Sequence, residues 1–110
     1  MSHQHKDLAK GRWNELSFSE QMANIGSEVE RALNWWAKHN AAYSQKAFER
    51  ALELIDLSLD SMRSLTRLKE TARLREAIVD YFFGTNEFLS TDASWRKYFL
   101  HFAYAARRNC

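Results

Sequence analysis

Apolar residues recur every three or four positions along most of this chain, and that spacing predicts amphipathic helices. The first stripe starts at Phe18 and continues to Trp36, directly after a capping box formed by Ser17 and Glu20. Gly26 lies inside this stripe at a cost of about 1 kcal/mol relative to alanine, so we expect a neighbouring helix to approach closely there. A polar run at residues 38–40 predicts the end of the helix.

Three further stripes predict helices over about residues 41–60, 64–83 and 92–107. Proline is absent and glycine occurs only three times, so few residues oppose long helices. Gly84 is the predicted left-handed cap of the third helix. Four such helices joined by short loops predict an all-α fold, an antiparallel up-down four-helix bundle.

The bundle domain is predicted to occupy residues 17–110, with residues 1–16 as a loose N-terminal arm. The arm contains only three large apolar residues, and one of them, Trp13, is expected to pack against the bundle as an anchor.

Composition and charge narrow the class of protein. The chain has 110 residues, enough for one domain, and no apolar run approaches the ~20 residues of a membrane span. The polar start does not resemble a secretory signal, and the lone Cys110 cannot form an internal disulfide, so we expect a cytoplasmic protein. The net charge of +2 gives little indication of a nucleic-acid partner. Neither metal-ligand spacing nor a glycine-rich phosphate loop is present, so no cofactor is expected.

Charged residues are unevenly distributed over the second and third helices. The acidic line of the second helix ends in Asp56 and Asp60, and we expect cations from another segment to pair with it, with Arg63 and Arg67 as the candidates. The basic first half of the third helix is either a solvated face with such pairs or a patch for nucleic acid or an acidic partner. Its residues are Arg63, Arg67, Lys69 and Arg73. Arg75 lies at the edge of the apolar stripe, with Glu28 and Glu76 as candidate partners.

Arg96 and His101, on the fourth helix, are separated by four residues, and this spacing is similar to that of a catalytic motif. It resembles the Arg-x4-6-His motif of the higher-eukaryote and prokaryote nucleotide-binding (HEPN) family, small all-α bundles of which many are metal-independent ribonucleases and others are inactive or neutralise toxins. Lys97 stands where that family commonly has a polar Asn or Asp. Residues five apart on a helix point about 140° away from each other, so the pair would need a dimer interface to converge. Otherwise both residues belong to a solvated face.

Aromatic residues are abundant, at fifteen of 110, and they suggest a second apolar surface on the first and fourth helices. Adjacent Trp35 and Trp36 lie about 100° apart and cannot both face one core. Tyr104 lies off the main stripe of the fourth helix, near Tyr98. These four residues are the predicted interface, of a homodimer or with a protein partner, although packing within one chain would also explain them.

Three segments of the sequence, at residues 23–31, 47–56 and 73–80, resemble a family of short prokaryotic all-α hypothetical proteins. The resemblance covers roughly residues 12–108 and implies a self-contained domain. It implies no activity and no site residues.

The sequence therefore favours a small helical-bundle interaction protein that acts by protein binding as a homodimer, with no assigned activity, and leaves open whether it is also an enzyme. Two alternatives remain open. One is a HEPN-like ribonuclease or an inactive antitoxin-type relative, and the other is a nucleic-acid-binding accessory protein that uses the basic first half of the third helix.

Overall fold

The computed structural model describes residues 10–108, and this part of the chain is almost entirely helical. A helical turn at residues 10–14 precedes four helices. They are α1 (Phe18–Ala37), α2 (Ala41–Ser61), α3 (Leu65–Phe83) and α4 (Asp92–Arg108). No strand occurs within residues 10–108, which confirms the all-α fold class. Most of the predicted arm and Cys110 lie outside the described residues.

Contacts between the helices show that each runs antiparallel to its neighbours. The Ser44 hydroxyl near the start of α2 donates to the Ala32 carbonyl near the end of α1, at 2.7 Å. The rings of Phe18 and Phe102, from the start of α1 and the end of α4, have centroids 5.7 Å apart. Helix α1 packs against both α2 and α4, while α3 packs against α2. The order is up-down-up-down, as predicted.

The start of α1 is fixed by the predicted capping box. The Ser17 hydroxyl accepts from the Glu20 backbone N–H at 3.1 Å, and the Glu20 carboxylate accepts from the Ser17 N–H at 2.9 Å. The second of these bonds stabilises the charged carboxylate and lowers the pKa of Glu20. The chain direction at the entry to the bundle is thus set by two local hydrogen bonds.

Gly26 marks the closest approach of α4 to α1, which confirms the prediction for this residue. A methyl group at position 26 would lie 2.6 Å from Phe99 Cβ and 2.7 Å from Phe99 Cγ. Phe99 itself is buried. Because Cβ is fixed to the backbone, relieving this clash would require the two helices to separate.

Helix α3 buries Thr71, Leu74 and Ile78, and Val79 and Phe82 pack partly buried against the core. The apolar stripe that the sequence predicts for this helix, which includes Ile78, Val79 and Phe82, is thus covered over its second half, whereas its first residue, Leu65, is 64% exposed. Only the face toward α2 is covered by a close neighbour, because the α3 and α4 backbones stay apart. They meet through long side chains, such as the Tyr98 hydroxyl, which donates to Glu70 at 3.4 Å.

The predicted conformation of Gly84 is wrong. Its φ of −101° and ψ of −156° are extended rather than left-handed, and its N–H donates to the Asp80 carbonyl at 2.9 Å. A Cβ there would lie 2.9 Å from that same carbonyl oxygen. Glycine is needed for space beside Asp80, and the left-handed positions fall on His39, Asn86 and Leu89 instead.

The predicted partners of the acidic line on α2 are also wrong. Asp56 accepts from Arg75 Nε at 2.8 Å, and Asp60 pairs with Lys10 of the N-terminal turn. The antiparallel register places Arg75, rather than the predicted Arg63 or Arg67, at the level of Asp56. Arg75 therefore pairs with Asp56 and not with the predicted Glu28 or Glu76. The hydrogen bond to Asp56 raises the pKa of Arg75 further above its ordinary value.

A closed ring of three buried hydrogen bonds joins the N-terminal turn to α1 and α2. The Trp13 indole N–H donates to Ser58 Oγ at 2.8 Å, Ser58 donates to Gln21 Oε1 at 2.9 Å, and Gln21 Nε2 donates to the Trp13 carbonyl at 3.0 Å. All three side chains are at least nine-tenths buried. The prediction that Trp13 packs against the bundle is confirmed.

We predict that Gly26→Ala destabilises the protein by about 1–3 kcal/mol, because the clash with Phe99 outweighs the gain in helix propensity. Urea unfolding followed by tryptophan fluorescence measures this. Gly11→Ala is the matched control, because nothing lies within 4 Å of a Cβ built at Gly11. A Gly26→Ala protein as stable as the control would contradict the close approach.

We predict that Ser58→Ala lowers the free energy of unfolding by about 2–4 kcal/mol, because it leaves the Trp13 N–H and the Gln21 carbonyl buried without partners. Ser61→Ala, one turn later on α2, is the control, since its hydroxyl makes only a 3.5 Å bond to the Leu57 carbonyl. That control is expected to stay within about 0.5 kcal/mol of the wild type. Equal effects of the two substitutions would rule out a special role for the ring.

Candidate interaction surface

Large apolar side chains are concentrated at one end of the bundle, where α1 and α3 end and α2 and α4 begin. Five of them are between 49% and 84% exposed: Trp36, Tyr43, Phe83, Phe88 and Leu89. We call this set the aromatic end face. A soluble monomer rarely exposes such a group of large apolar residues together, so the end face is the strongest candidate site among the described residues.

The α1–α2 corner of the end face is held by a Schellman motif. His39 adopts a left-handed φ of 61°, its N–H donates to the Trp36 carbonyl at 3.0 Å, and the Asn40 N–H donates to the Trp35 carbonyl at 2.9 Å. The Asn40 side chain then caps α2 by accepting from the Tyr43 N–H. The turn is therefore rigid enough to hold Trp36 and Tyr43 in fixed positions.

The loop between α3 and α4, residues 84–91, forms the opposite corner. The Asp80 carboxylate accepts from the Glu87 and Phe88 backbone N–H groups at 2.9 and 3.0 Å. Asn86 and Leu89 both have left-handed φ values, 57° and 55°. Leu89 combines this unfavourable conformation with 84% exposure, which is uncommon for a branched apolar residue. The loop therefore holds two apolar side chains toward solvent.

The two corners of the end face carry opposite charge. Lys38 Nζ lies 5.3 Å from the centroid of the Trp35 ring, and Lys46 Nζ lies 5.6 Å from that of Tyr43. Neither lysine has a carboxylate within ion-pair distance among residues 10–108. At the other corner, Asp80 and Glu87 are likewise without a cation. The α1–α2 corner is thus basic and the α3–α4 corner acidic.

Behind the end face, the Tyr81 hydroxyl donates to the Asp92 carboxylate and ties α3 to the start of α4. Partial burial together with this carboxylate raises the pKa of Tyr81 from 10 to about 12. Burial and Glu70 raise the pKa of Tyr98 in the same direction. Both hydroxyls bridge the gap between α3 and α4 in their neutral forms.

The structure separates the four residues of the predicted interface. Trp36 belongs to the end face, but Trp35 is half-buried in an edge-on contact with Tyr43, at 4.9 Å between centroids. Tyr98 is half-buried between α3 and α4. Tyr104 is 63% exposed and lies about 18 Å along α4 from Asp92, toward the other end of the bundle.

Arg96 and His101 do not converge within one chain. Arg96 Nε donates to both carboxylate oxygens of Glu30 at 3.0 Å, and its Nη2 donates to Asn34 at 3.3 Å. His101 is exposed, with its ring beside Phe102. Arg96 thus joins α4 to α1, with its charge paired to Glu30 rather than placed beside His101. The ribonuclease hypothesis stays a prediction that requires a second chain.

The four cations of the predicted basic patch do not lie together on one surface. Arg63 and Arg67 lie beside a cavity near the start of α3. Lys69 and Arg73 are exposed on other sides of the helix, since residues two apart on a helix differ by about 200°. The four cations therefore do not form one continuous surface for a nucleic-acid strand.

A larger open cavity of about 490 Å³ lies between α1 and α4, on the side of the bundle. Its floor is formed by small and apolar residues, including Gly26 and Ala103, and Leu100 stands 62% exposed beside it. The Glu30–Arg96 pair lines its edge and satisfies its own charges. The cavity offers apolar area and no arrangement of polar groups that would orient a ligand.

Residues 10–108 contain neither a metal-binding cluster nor a membrane-spanning helix. No group of three or more His, Cys, Asp or Glu side chains is placed to hold a metal ion. None of the helices there combines the length and hydrophobicity needed to span a bilayer.

Comparison with known proteins gave no match to a family model, to a curated protein or to a solved structure. The resemblance to short prokaryotic all-α proteins therefore stays a prediction.

Of the aromatic end face, the sequence identifies only Trp36 as an interface residue and misses Tyr43, Phe83, Phe88 and Leu89. Tyr43 and Phe83 lie in the end turns of helices, and Phe88 and Leu89 lie in a loop without helical period. The available signal was the pair of large apolar residues in a loop that is otherwise polar.

We predict that the stability of the protein falls as pH rises from about 10 to about 12. The Tyr81 hydroxyl ionises near pH 10 in the unfolded chain but keeps its proton to about 12 when folded, so its stabilisation is complete below pH 10 and lost through this window. Urea unfolding at stepped pH measures the fall. Tyr81→Phe should show a shallower fall, while its difference from the wild type stays constant between pH 7 and 9. The same slope in both proteins would contradict this role of Tyr81.

Proposed function

We propose that this protein is a small interaction module that acts by protein binding, and that its partner is a second copy of the same chain. The observation that carries the proposal is the aromatic end face, with five large apolar side chains exposed at one end of the bundle. A homodimer with two-fold symmetry would bury the same surface on both protomers.

The exposed area supports a dimer of modest stability. Large apolar side chains offer about 150–250 Å² each, so the measured exposures leave on the order of 600 Å² uncovered on one protomer. Stable interfaces bury about 800 Å² on each partner, with a polar rim around an apolar centre. The end face together with its charged corners is of that size.

The distribution of charge favours a second copy over an unrelated partner. The basic corner carries Lys38 and Lys46, and the acidic corner carries Asp80 and Glu87. A two-fold axis through the end face can place the basic corner of one protomer against the acidic corner of the other, twice per dimer. This complementarity would fix the orientation of the two chains and exclude the like-charged arrangement.

The loop conformation gives independent support. A left-handed leucine costs about 1–2 kcal/mol relative to the right-handed form, and the hydrogen bonds to Asp80 hold the loop in this state. Strained residues that point into solvent recur at binding sites, where a preformed surface loses little entropy on association. The proposed interface is thus largely formed before binding.

We predict that Leu89→Ser weakens the dimer at least thirtyfold, because it removes the most exposed apolar side chain of the aromatic end face. Sedimentation velocity over a dilution series gives the dissociation constant. Leu100→Ser is the matched control, since Leu100 is also exposed but lies beside the α1–α4 cavity. A wild-type protein that stays monomeric at millimolar concentration would overturn the proposal.

Two further variants locate the interface. Lys46→Glu and Glu87→Lys should each weaken the dimer, and the double variant should recover affinity because the two corners are again complementary. Tyr104→Ala should leave the dimer intact. Dissociation by Tyr104→Ala but not by Leu89→Ser would move the interface to α4 and contradict the role of the end face.

A further inference from the structure

A second, polar cavity lies at the other end of the bundle, where α2 ends and α3 begins. Its volume is about 420 Å³, within the range of small-molecule sites. Ser61 and Ser64 contribute hydroxyl groups to its wall, Asn14 contributes an amide, and Arg63 and Arg67 contribute guanidinium groups. No carboxylate of residues 10–108 lines it. The surroundings therefore favour an anion with further polar groups.

Neither arginine of the cavity is neutralised by an acid. Five other cations of residues 10–108 have a carboxylate within 4 Å: Lys10, Arg31, Arg50, Arg75 and Arg96. Arg63 and Arg67 have none within residues 10–108, although they follow the acidic line of α2 closely in sequence, and they share a cavity. The nearby acids are engaged elsewhere, Asp60 with Lys10 and Glu70 with Tyr98.

Neighbouring residues hold the Arg67 side chain in place before any ligand binds. Its guanidinium carbon lies 4.8 Å from the centroid of the Phe18 ring, a cation–π contact that orients the side chain without neutralising its charge. Its backbone N–H is bound by the Ser64 hydroxyl at 3.3 Å. Arg63 lies in the short connection between Met62 and Ser64, the caps of α2 and α3. The backbone that carries each arginine therefore has a defined conformation.

We propose that this cavity binds the phosphate group of a small phosphomonoester. Guanidinium groups match the oxygens of a phosphate dianion in charge and geometry, and serine hydroxyls and a side-chain amide suit the hydroxyl groups of the rest of such a molecule. The start of α3 adds a smaller attraction of the same sign. One face of the Phe18 ring is covered by Arg67, which disfavours base stacking and so favours a sugar phosphate over a nucleic-acid strand.

This inference is independent of the proposed dimer, because the cavity and the aromatic end face lie at opposite ends of the helices. Binding of the phosphate does not require a second chain. Loss of dimerisation in Leu89→Ser should leave the cavity unchanged, so the two ideas can fail separately.

The test is an NMR titration of the ¹⁵N-labelled protein with ribose 5-phosphate, inorganic phosphate and ribose. We expect both phosphates to bind with a dissociation constant on the order of a millimolar and to shift the amide signals of residues 61–67, whereas ribose produces no shift. The replacement of Arg63 and Arg67 by Gln should weaken ribose 5-phosphate at least tenfold. The replacement of Lys69 and Arg73 by Gln removes the same charge from elsewhere on α3 and should change the affinity less than twofold.

Three results would overturn the proposal. These are no binding of either phosphate at 20 mM, equal losses in the two double variants, or ribose binding as well as its phosphate. Because Arg67 contacts Phe18, the single variant Arg63→Gln is measured as well, and its amide spectrum shows whether the fold is kept. A threefold or greater loss in that folded variant supports the site, and an unchanged affinity contradicts it.

Discussion

The contact between Gly26 and Phe99 determines how the rest of the bundle is arranged. Because residue 26 has no side chain, α4 lies directly on α1, with the Phe99 Cβ only 2.6 Å from where a Cβ at residue 26 would lie. Helix α1 already packs closely against α2 on another side. With α2 and α4 both drawn onto α1, α3 has only α2 as a close neighbour. The remaining space between α3 and α4 is filled by rings, among them Tyr81, Trp95 and Tyr98.

The two ends of the bundle have different chemistry as a result of where the chain satisfies its polar groups. At the α2–α3 end, the ring of hydrogen bonds through Ser58 consumes the buried polar groups, while two arginines remain without acids. At the other end, the backbone groups of the turns are satisfied locally, by a Schellman motif and by Asp80. The apolar side chains there are left uncovered. One end therefore suits an anion and the other a protein surface.

Sequence reasoning worked where the signal was local. The capping box at Ser17, the polar stop after Ala37 and the glycine inside the first stripe each depend on residues within one or two turns, and each was located correctly. Gly84 is the exception, because its local signal predicted a left-handed cap whereas its backbone is extended. The other failures involve the relative position of separate helices. Asp56 selects Arg75 because of the α2–α3 register, and Trp13 reaches Ser58 across 45 residues. Neither contact produces a periodic sequence pattern from which it could be predicted.

The candidate sites follow the same division. Trp36 and the arginines at 63 and 67 could be selected as notable residues, but their neighbours could not. Phe88 and Leu89 reach the end face only because Asp80 folds their loop, and this effect has no period to detect. Arg67 lines a cavity, rather than pairing with α2, because Phe18 from another helix holds its side chain.

The partial burial of α3 has a consequence for how the molecule opens. This helix buries three residues, as does α4, whereas α1 and α2 bury seven each. Two tyrosine hydroxyls and aromatic rings, rather than closely packed backbones, join it to α4. Local opening follows the elements with the fewest buried apolar contacts. Helix α3 is therefore expected to open at a lower free energy than the α1–α2 hairpin, and its amide protons to exchange with solvent ahead of those in that hairpin.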